Sequence, residues 1–416
     1  MTSASPGFPS AATSRGRAWL PWILILLVTL AARLAFVIAL PPNFVFSDTR
    51  DYDQIARWLL DQHTFGHVPL RAPGYPAFMA LVYAVSGRSV TALRCVEAVL
   101  GTLSVGLIAR LGVRLFGRPS GLIAGAIAAV HPVMAFLPSA IYTENLLVFL
   151  LVVALSFAFD ALDRPGLWRW AASGASIGLA MLVRPNVIAL LPGLAVGFTL
   201  LAWRARRAWL RPLLATGAAV LLTVLPWLVR NHQVYGRWFY ICTGGGRQFY
   251  LGNNPLATGE TWIHPDPDPE TAAALARLPD AFARDHYLYQ ESWRFIREHP
   301  ARAAQLYLIE LGNLYALHPE TVTRTLMNRW SRATQTVASL VVFAGALMSL
   351  ARWRTAPPLW PLALSALTFS LANALVYSSM RYRMVFEPCL ILMAGLGWTL
   401  VLNLLPRRAA RAGAAA

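Results

Sequence analysis

The sequence predicts an all-α polytopic membrane protein of about ten transmembrane helices. Interfacial helices are expected in its first outer loop, and a large outer loop before the eighth span. Three observations predict this. Hydrophobic residues make up 57% of the 416 and charged residues only 13%, about half the share of a soluble domain. Apolar runs close to the roughly 20 residues that cross a bilayer recur along the chain. Arginines gather in alternate joints between those runs. The same balance, with a mean hydropathy of +0.50, excludes a disordered chain, a collagen, a disulfide scaffold and an ordinary cytosolic enzyme.

The runs lie at 19–40, 90–113, 119–138, 143–161, 167–184, 186–203, 209–229, 332–351, 358–378 and 384–405. Residues 1–18 are rich in Ser, Pro and Ala and carry Arg15 and Arg17 ahead of the first run. A signal peptide has a shorter apolar core and a cleavage site, so 19–40 reads as an uncleaved first span. The net charge is +17, and all 36 basic residues are Arg. A nucleic-acid binder would cluster that charge in a soluble domain. Here it marks topology. Arg110, Arg114 and Arg118, then Arg164 and Arg169, then Arg204 to Arg211, then Arg352 and Arg354, then Arg407 to Arg411 all fall on one side if ten spans cross. The positive-inside rule makes that side cytoplasmic, with both termini.

The expected organisation is a tail at 1–18, a membrane domain at 19–229 with a functional outer loop at 41–89, an outer loop region at 230–331, C-terminal helices at 332–405 and a second tail at 406–416. In the first loop, Tyr52, Ile55, Trp58, Leu59 and Gln62 recur at helical spacing and predict a short amphipathic helix. Segment 75–86 is apolar but too short to span. In the second loop, 271–318 reads as helical, and 303–317 is apolar enough to lean on the membrane. The three cysteines, Cys95, Cys242 and Cys389, show neither a metal nor a disulfide spacing.

Function should show in polar groups that topology does not explain. Asp48, Asp51, Arg71, Glu144, Arg184, Arg230, Asn231, Arg381 and Arg383 all fall at the outer membrane face. Each has a plainer reading. Asp51 can cap the amphipathic helix. Glu144 suits the positive end of a helix. Arginines can snorkel to headgroups. Yet short outer loops are normally poor in Arg, and acids and bases converge here from separate joints. Together they point to an anionic, lipid-borne ligand and a carboxylate able to act as base. The stretch 244–255, GGGRQFYLGNNP, lets backbone approach a ligand but is no Walker loop. Asn253 and Asn254 form a turn and can also bind sugar hydroxyls. His264, Asp266 and Asp268 can be a metal site, or a solvated extended stretch between prolines.

The chain resembles bacterial GT-C class membrane glycosyltransferases, a family 39-like set related to protein O-mannosyltransferases and the lipid A aminoarabinose transferase. The resemblance runs over about 19–405. Its carriers are Asp48 with Asp51-Tyr52 after the first span, RAPGYP at 71–76, the acidic residue of YTEN at 144, RP at 184–185, GNNP at 252–255 and RYR at 381–383. It implies an inverting enzyme that takes sugar from a polyprenyl-phosphate donor, on the periplasmic face of the bacterial inner membrane, to an unknown glycan, lipid or protein acceptor. It implies Asp48 as catalytic base with Glu144 as second carboxylate, and Arg71 on the donor phosphate. Many members have Asp-Glu where this chain has Asp48-Thr49, and the chain is short for the family. The chemistry of the residues agrees. A phosphate leaving group needs charge neutralisation rather than a general acid. Arg71, Arg184, Arg381 and Arg383 are therefore candidate phosphate contacts. Asp51, Tyr52, Tyr75, Asn253 and Asn254 are candidate sugar or acceptor contacts, with 256–285 as a lid. A divalent metal at Asp48 and Glu144 is possible on the same resemblance, and no other cofactor is implied. The rival is a transporter or flippase for an anionic lipid-linked substrate. It would share the arginines but need polar groups near mid-membrane, where charge here is sparse and Arg33 and Arg94-Glu97 are the main instances.

Overall fold

The structure is a computed structural model that describes residues 12–41, 47–66, 69–164, 166–259, 267–318 and 329–413. His264 and Asp266 of the possible metal motif, and part of the expected lid, lie outside the described residues. So do residues 1–11 and 414–416 of the two tails.

Every described element is helical. The helices are α1 (Ala12–Ala39), α2 (Ser47–Gln62), α3 (Gly74–Ser86), α4 (Val90–Phe116), α5 (Arg118–Val130), α6 (Pro132–Ala140), α7 (Thr143–Asp163), α8 (Leu167–Val183), α9 (Leu191–Arg204), α10 (Leu210–Tyr235), α11 (Gly245–Gly252), α12 (Pro269–Arg277), α13 (Ala281–Glu298), α14 (Pro300–Leu314), α15 (Arg329–Ser349), α16 (Leu359–Asn373) and α17 (Glu387–Gly413). Short 3₁₀ turns occupy Pro185–Leu190, Leu350–Arg352 and Met380–Val385.

Among the described residues, seven helices are long and apolar enough to cross a membrane, and an eighth span results if α5 and α6 count as one bent pair. The chain is thus a multi-pass membrane protein, but with fewer full-length spans than the ten expected. Two of the expected ten fall short. Helix α8 has 17 residues because Pro185 follows its last turn, and a residue before proline is driven out of the helical region. Helix α16 has 15. The α5–α6 break has a local cause too. Pro132 cannot donate to the preceding turn, His131 leaves helical geometry, and the two axes bend by 49°. Segment 303–317 does not form a span. Most of it belongs to α14, whose Ala303, Leu306 and Leu314 are buried in the fold.

Small residues bring the long helices close, as is usual where lipid removes the hydrophobic drive for association. A side chain at Gly397 of α17 would meet the carbonyl oxygen of Gly345 on α15 at 1.9 Å. On α9, Gly193 and Gly197 likewise lie against the backbone of Leu364 and Pro361 on α16. Helices α1, α4, α5 and α17 pack on one another, and α7 and α8 run antiparallel beside them. The start of α2, the start of α7, the end of α8 and the 3₁₀ turn before α17 meet at one end of this bundle.

A carboxylate and guanidinium cluster as candidate active site

Five residues from five chain segments make one ionic chain. Asp48 sits in the first turn of α2. Its Oδ1 accepts from Arg71 Nη2 at 2.8 Å and its Oδ2 from Arg381 Nη1 at 3.1 Å. Arg381 Nε donates to Glu144 Oε1, and Arg184 Nη1 donates to the same oxygen. Arg71 also holds Asp51, through Nε at 3.0 Å and Nη2 at 2.7 Å.

Local sequence explains each placement. Glu144 is in the first turn of α7, where unpaired N–H groups favour a carboxylate. It has no exposed side-chain surface, and Thr143 Oγ1 donates to its other oxygen at 3.2 Å. Arg184 is the residue left behind when Pro185 stops α8. Arg381 lies in the 3₁₀ turn. An aromatic ring backs each guanidinium: Tyr52 at 5.4 Å from Arg71, Tyr382 at 4.7 Å from Arg184 and Tyr142 at 3.8 Å from Arg381. Such stacking favours the cation once water is removed.

Asp48 is 29% exposed, so part of the cluster is open. Burial alone would raise its pKa. Arg381 and Arg71 outweigh that and hold its carboxyl below the usual range. Burial opposes the charge of Arg381 as well, yet Glu144, Tyr142 and Asp48 hold it charged, well above its usual value. Three arginines face three carboxylates in Asp48, Asp51 and Glu144, so the cluster carries no net charge.

Not every expected residue reaches it. Arg383 is fully buried on the other side of the 3₁₀ turn. Its Nε donates to Glu387 at 2.6 Å, Nη1 to Ala316 O at 3.0 Å and Nη2 to Ser339 Oγ at 3.2 Å. His131 Nε2 approaches the other Glu387 oxygen at 3.3 Å. With three residues per turn, positions two apart cannot face the same way, so the structure assigns Arg383 to the helix framework. Asn253 and Asn254 are also occupied. Asn253 Nδ2 donates to Phe249 O and Leu375 O, and Asn254 Nδ2 to Tyr250 O. Asn231 donates to Ile241 O, and Arg230 stacks among Phe65, Trp227 and Tyr235. The glycines do cradle an anion, but an internal one: Gly244 N and Gly246 N donate to Asp285 Oδ1 at 3.0 and 2.8 Å.

Tyr52 and Tyr75 are buried behind the cluster, ring against ring at 5.3 Å. Tyr75 donates to Glu97 Oε1 at 2.8 Å, and Asn145 donates to Glu97 Oε2. The ring contacts Tyr142 and Tyr382 escaped sequence reasoning, although they lie inside the quoted motifs YTEN and RYR. Gln248, within the 244–255 stretch, links the 230–331 region to the cluster by accepting from Tyr382 at 3.4 Å.

In this arrangement Asp48 and Glu144 are each paired with arginine. Among the described residues no group of three His, Cys, Asp or Glu side chains could hold a metal ion, and the Arg381 guanidinium stands between Asp48 and Glu144.

The fold matches a known architecture. The oligosaccharyltransferase of Archaeoglobus fulgidus in its apo form aligns with a TM-score of 0.54 at 15% identity, over 94% of this chain and 52% of that one. The same enzyme tethered with an acceptor peptide containing the NVT sequon gives a TM-score of 0.56 at 15% identity, over 93% and 50%. ArnT from Cupriavidus metallidurans bound to undecaprenyl phosphate gives 0.43 at 17% identity, over 92% and 78%. The chain spans about half the length of the archaeal enzyme. It has the GT-C fold of membrane glycosyltransferases. Within it, residues 69–229 match the family described as dolichyl-phosphate-mannose-protein mannosyltransferase. Among curated proteins no sequence matches.

Proposed function

We propose that this protein is an inverting glycosyltransferase that moves a sugar from a polyprenyl-phosphate donor to an acceptor hydroxyl at the outer, periplasmic face of a bacterial inner membrane. The observation that carries this reading is the ionic chain of Arg71, Asp48, Arg381, Glu144 and Arg184 at one end of the helix bundle. The match of 69–229 to a lipid-phosphate-sugar family supports it.

The chemistry follows from the residues. The donor's phosphodiester is an anion, and Arg71 and Arg381 are the partly exposed guanidiniums beside Asp48. Phosphate oxygens take up these donors and compete with the carboxylates for them. Asp48 then loses the charges that depress its pKa and becomes a stronger base. It accepts the proton of the acceptor hydroxyl, whose oxygen attacks the anomeric carbon. The bond from that carbon to the phosphate oxygen breaks on the opposite face, and the polyprenyl phosphate leaves with the electron pair. Arginines stabilise the charge growing on it. One base and one cationic clamp suffice for a single displacement, so the configuration inverts. Glu144 keeps Arg381 and Arg184 in place.

Asp48→Asn tests this, because it removes the base and retains the shape. The purified variant should retain polyprenyl phosphate in native mass spectrometry but transfer no sugar when a labelled polyprenyl-phosphate sugar and membrane acceptors are supplied. Transfer at the wild-type rate would overturn the assignment of Asp48. A wild-type protein that binds no polyprenyl phosphate would overturn the donor class.

A further inference from the structure

A cavity of about 860 Å³ lies between α7, α8 and α10 on one side and α9, α16 and α17 on the other. It does not belong to the ionic cluster. Helix α7 begins at the cluster and lines the cavity from Leu151 to Asp163, while α8 ends at the cluster and lines it from Leu167 to Ile177. At 1.5 Å per residue, the α7 wall is about 18 Å tall. The chamber therefore reaches the bundle end opposite the cluster, and its inner end approaches the 3₁₀ turn of Arg381 through Val385, Pro388 and Cys389.

Its wall is built for hydrocarbon. Leu155, Leu162, Leu194, Phe198 and Trp170 face it. Three of the four hydroxyls on the wall are spent on carbonyls, Ser173 on Ala154, Thr216 on Pro212 and Ser365 on Leu362, and Thr199 is the fourth. A polar guest would find few partners there. Gly217 lines the chamber with nothing within 4 Å of where a side chain would begin. The mouth has the opposite character. Arg207, Trp209 and Arg211 line it on the α9–α10 joint, beside Arg204 and Arg206. The acid at this end, Asp163, is held by Arg114 at 2.8 Å. Among the described residues no ion pair holds Arg207 or Arg211.

We infer that this chamber is a binding site for an anionic phospholipid from the leaflet opposite the ionic cluster, with one acyl chain in the cavity and the headgroup phosphate between Arg207 and Arg211. Apolar depth and a cationic rim match the two halves of that molecule. A tryptophan at the rim suits the headgroup level, and anionic headgroups attract arginines at a membrane surface. The sugar-transfer reading is not needed for this site.

The test is native mass spectrometry of the full chain in mild detergent, with phosphatidylglycerol or phosphatidylcholine of matched chains added. Wild type should retain one phosphatidylglycerol and at least fivefold less phosphatidylcholine. Arg207→Gln/Arg211→Gln should abolish that preference. Gly217→Phe, which fills the chamber from an open position, should reduce retention of both lipids. Equal retention of the two lipids by wild type overturns the proposal, and this needs no variant. So does an unchanged preference in the double variant, or wild-type retention in Gly217→Phe. Displacement of phosphatidylglycerol by added undecaprenyl phosphate, one for one, would give the chamber to a polyprenyl chain instead.

Discussion

Arg381 touches both carboxylates of the cluster: its Nε donates to Glu144 and its Nη1 lies 3.1 Å from Asp48 Oδ2. One guanidinium from the turn before the last helix thus joins the first loop to α7. Glu144 is wholly buried, so removing either cation leaves its desolvation offset by one partner instead of two. Arg381→Ala leaves Glu144 with Arg184 alone. We expect a stability loss of about 2 kcal/mol and no measurable transfer. Glu144→Gln/Arg381→Gln should regain most of the stability and none of the activity. Denaturant titration and a transfer assay on the same preparations separate the two effects.

The acid limb of activity should report Asp48. In the free protein its carboxyl lies below the ordinary range, because Arg381 and Arg71 outweigh the effect of burial. The dependence of kcat/KM on pH reflects the free enzyme, so its acid limb should fall below about pH 4, the value of an unperturbed Asp. Arg71→Ala removes one of the two charges while burial remains, so the limb should move to higher pH as the rate drops. A limb that stays in place would disconnect Asp48 from the rate.

Arg383 should behave unlike Arg381. It lies between Glu387, Ser339 and the carbonyl of Ala316, far from solvent. Arg383→Gln leaves the buried Glu387 carboxylate with only the His131 ring beside it, and we expect a loss of about 3 kcal/mol. The protein that still folds should keep the wild-type KM for donor. Thermal unfolding with a donor titration checks this. A raised KM at unchanged stability would return Arg383 to the phosphate.

The contrast shows what the sequence could carry. Asp48, Arg71, Glu144, Arg184 and Arg381 were legible because membrane sidedness alone places them at one end of the bundle, and charge in a short outer loop is costly without a partner. Arg383 was misplaced because membrane sidedness gives depth but not direction around a turn. The GGG stretch was legible as a place of close backbone approach and GNNP as a turn, but both meet groups of the protein itself where a ligand was expected. Their partners, Asp285 and the Leu375 carbonyl, lie tens of residues away and leave no local mark. Apolar run length suggested ten spans, but Pro185 shortens α8 through geometry that hydropathy does not register.

Glu310 offers a pH test of the helices between α10 and α15. It is buried on α14, where its Oε2 accepts from Ser378 N at 2.7 Å and from Asn313 Nδ2 at 3.3 Å. Burial pushes its carboxyl up to about 7, and the two donors only partly offset that. A raised carboxylate pKa means the native chain holds a proton that the unfolded chain has released. Stability therefore falls as pH rises from about 4.5 to 7 and levels off above. Gln can present its Oε1 to the same two donors without the charge. Glu310→Gln should melt close to wild type at pH 5 and be more stable at pH 8 by about 2 to 3 kcal/mol, from roughly 1.4 kcal/mol per pKa unit. Scanning calorimetry at both pH values decides it. A variant less stable than wild type at pH 8 would mean that the ionised Glu310 is well satisfied where it lies.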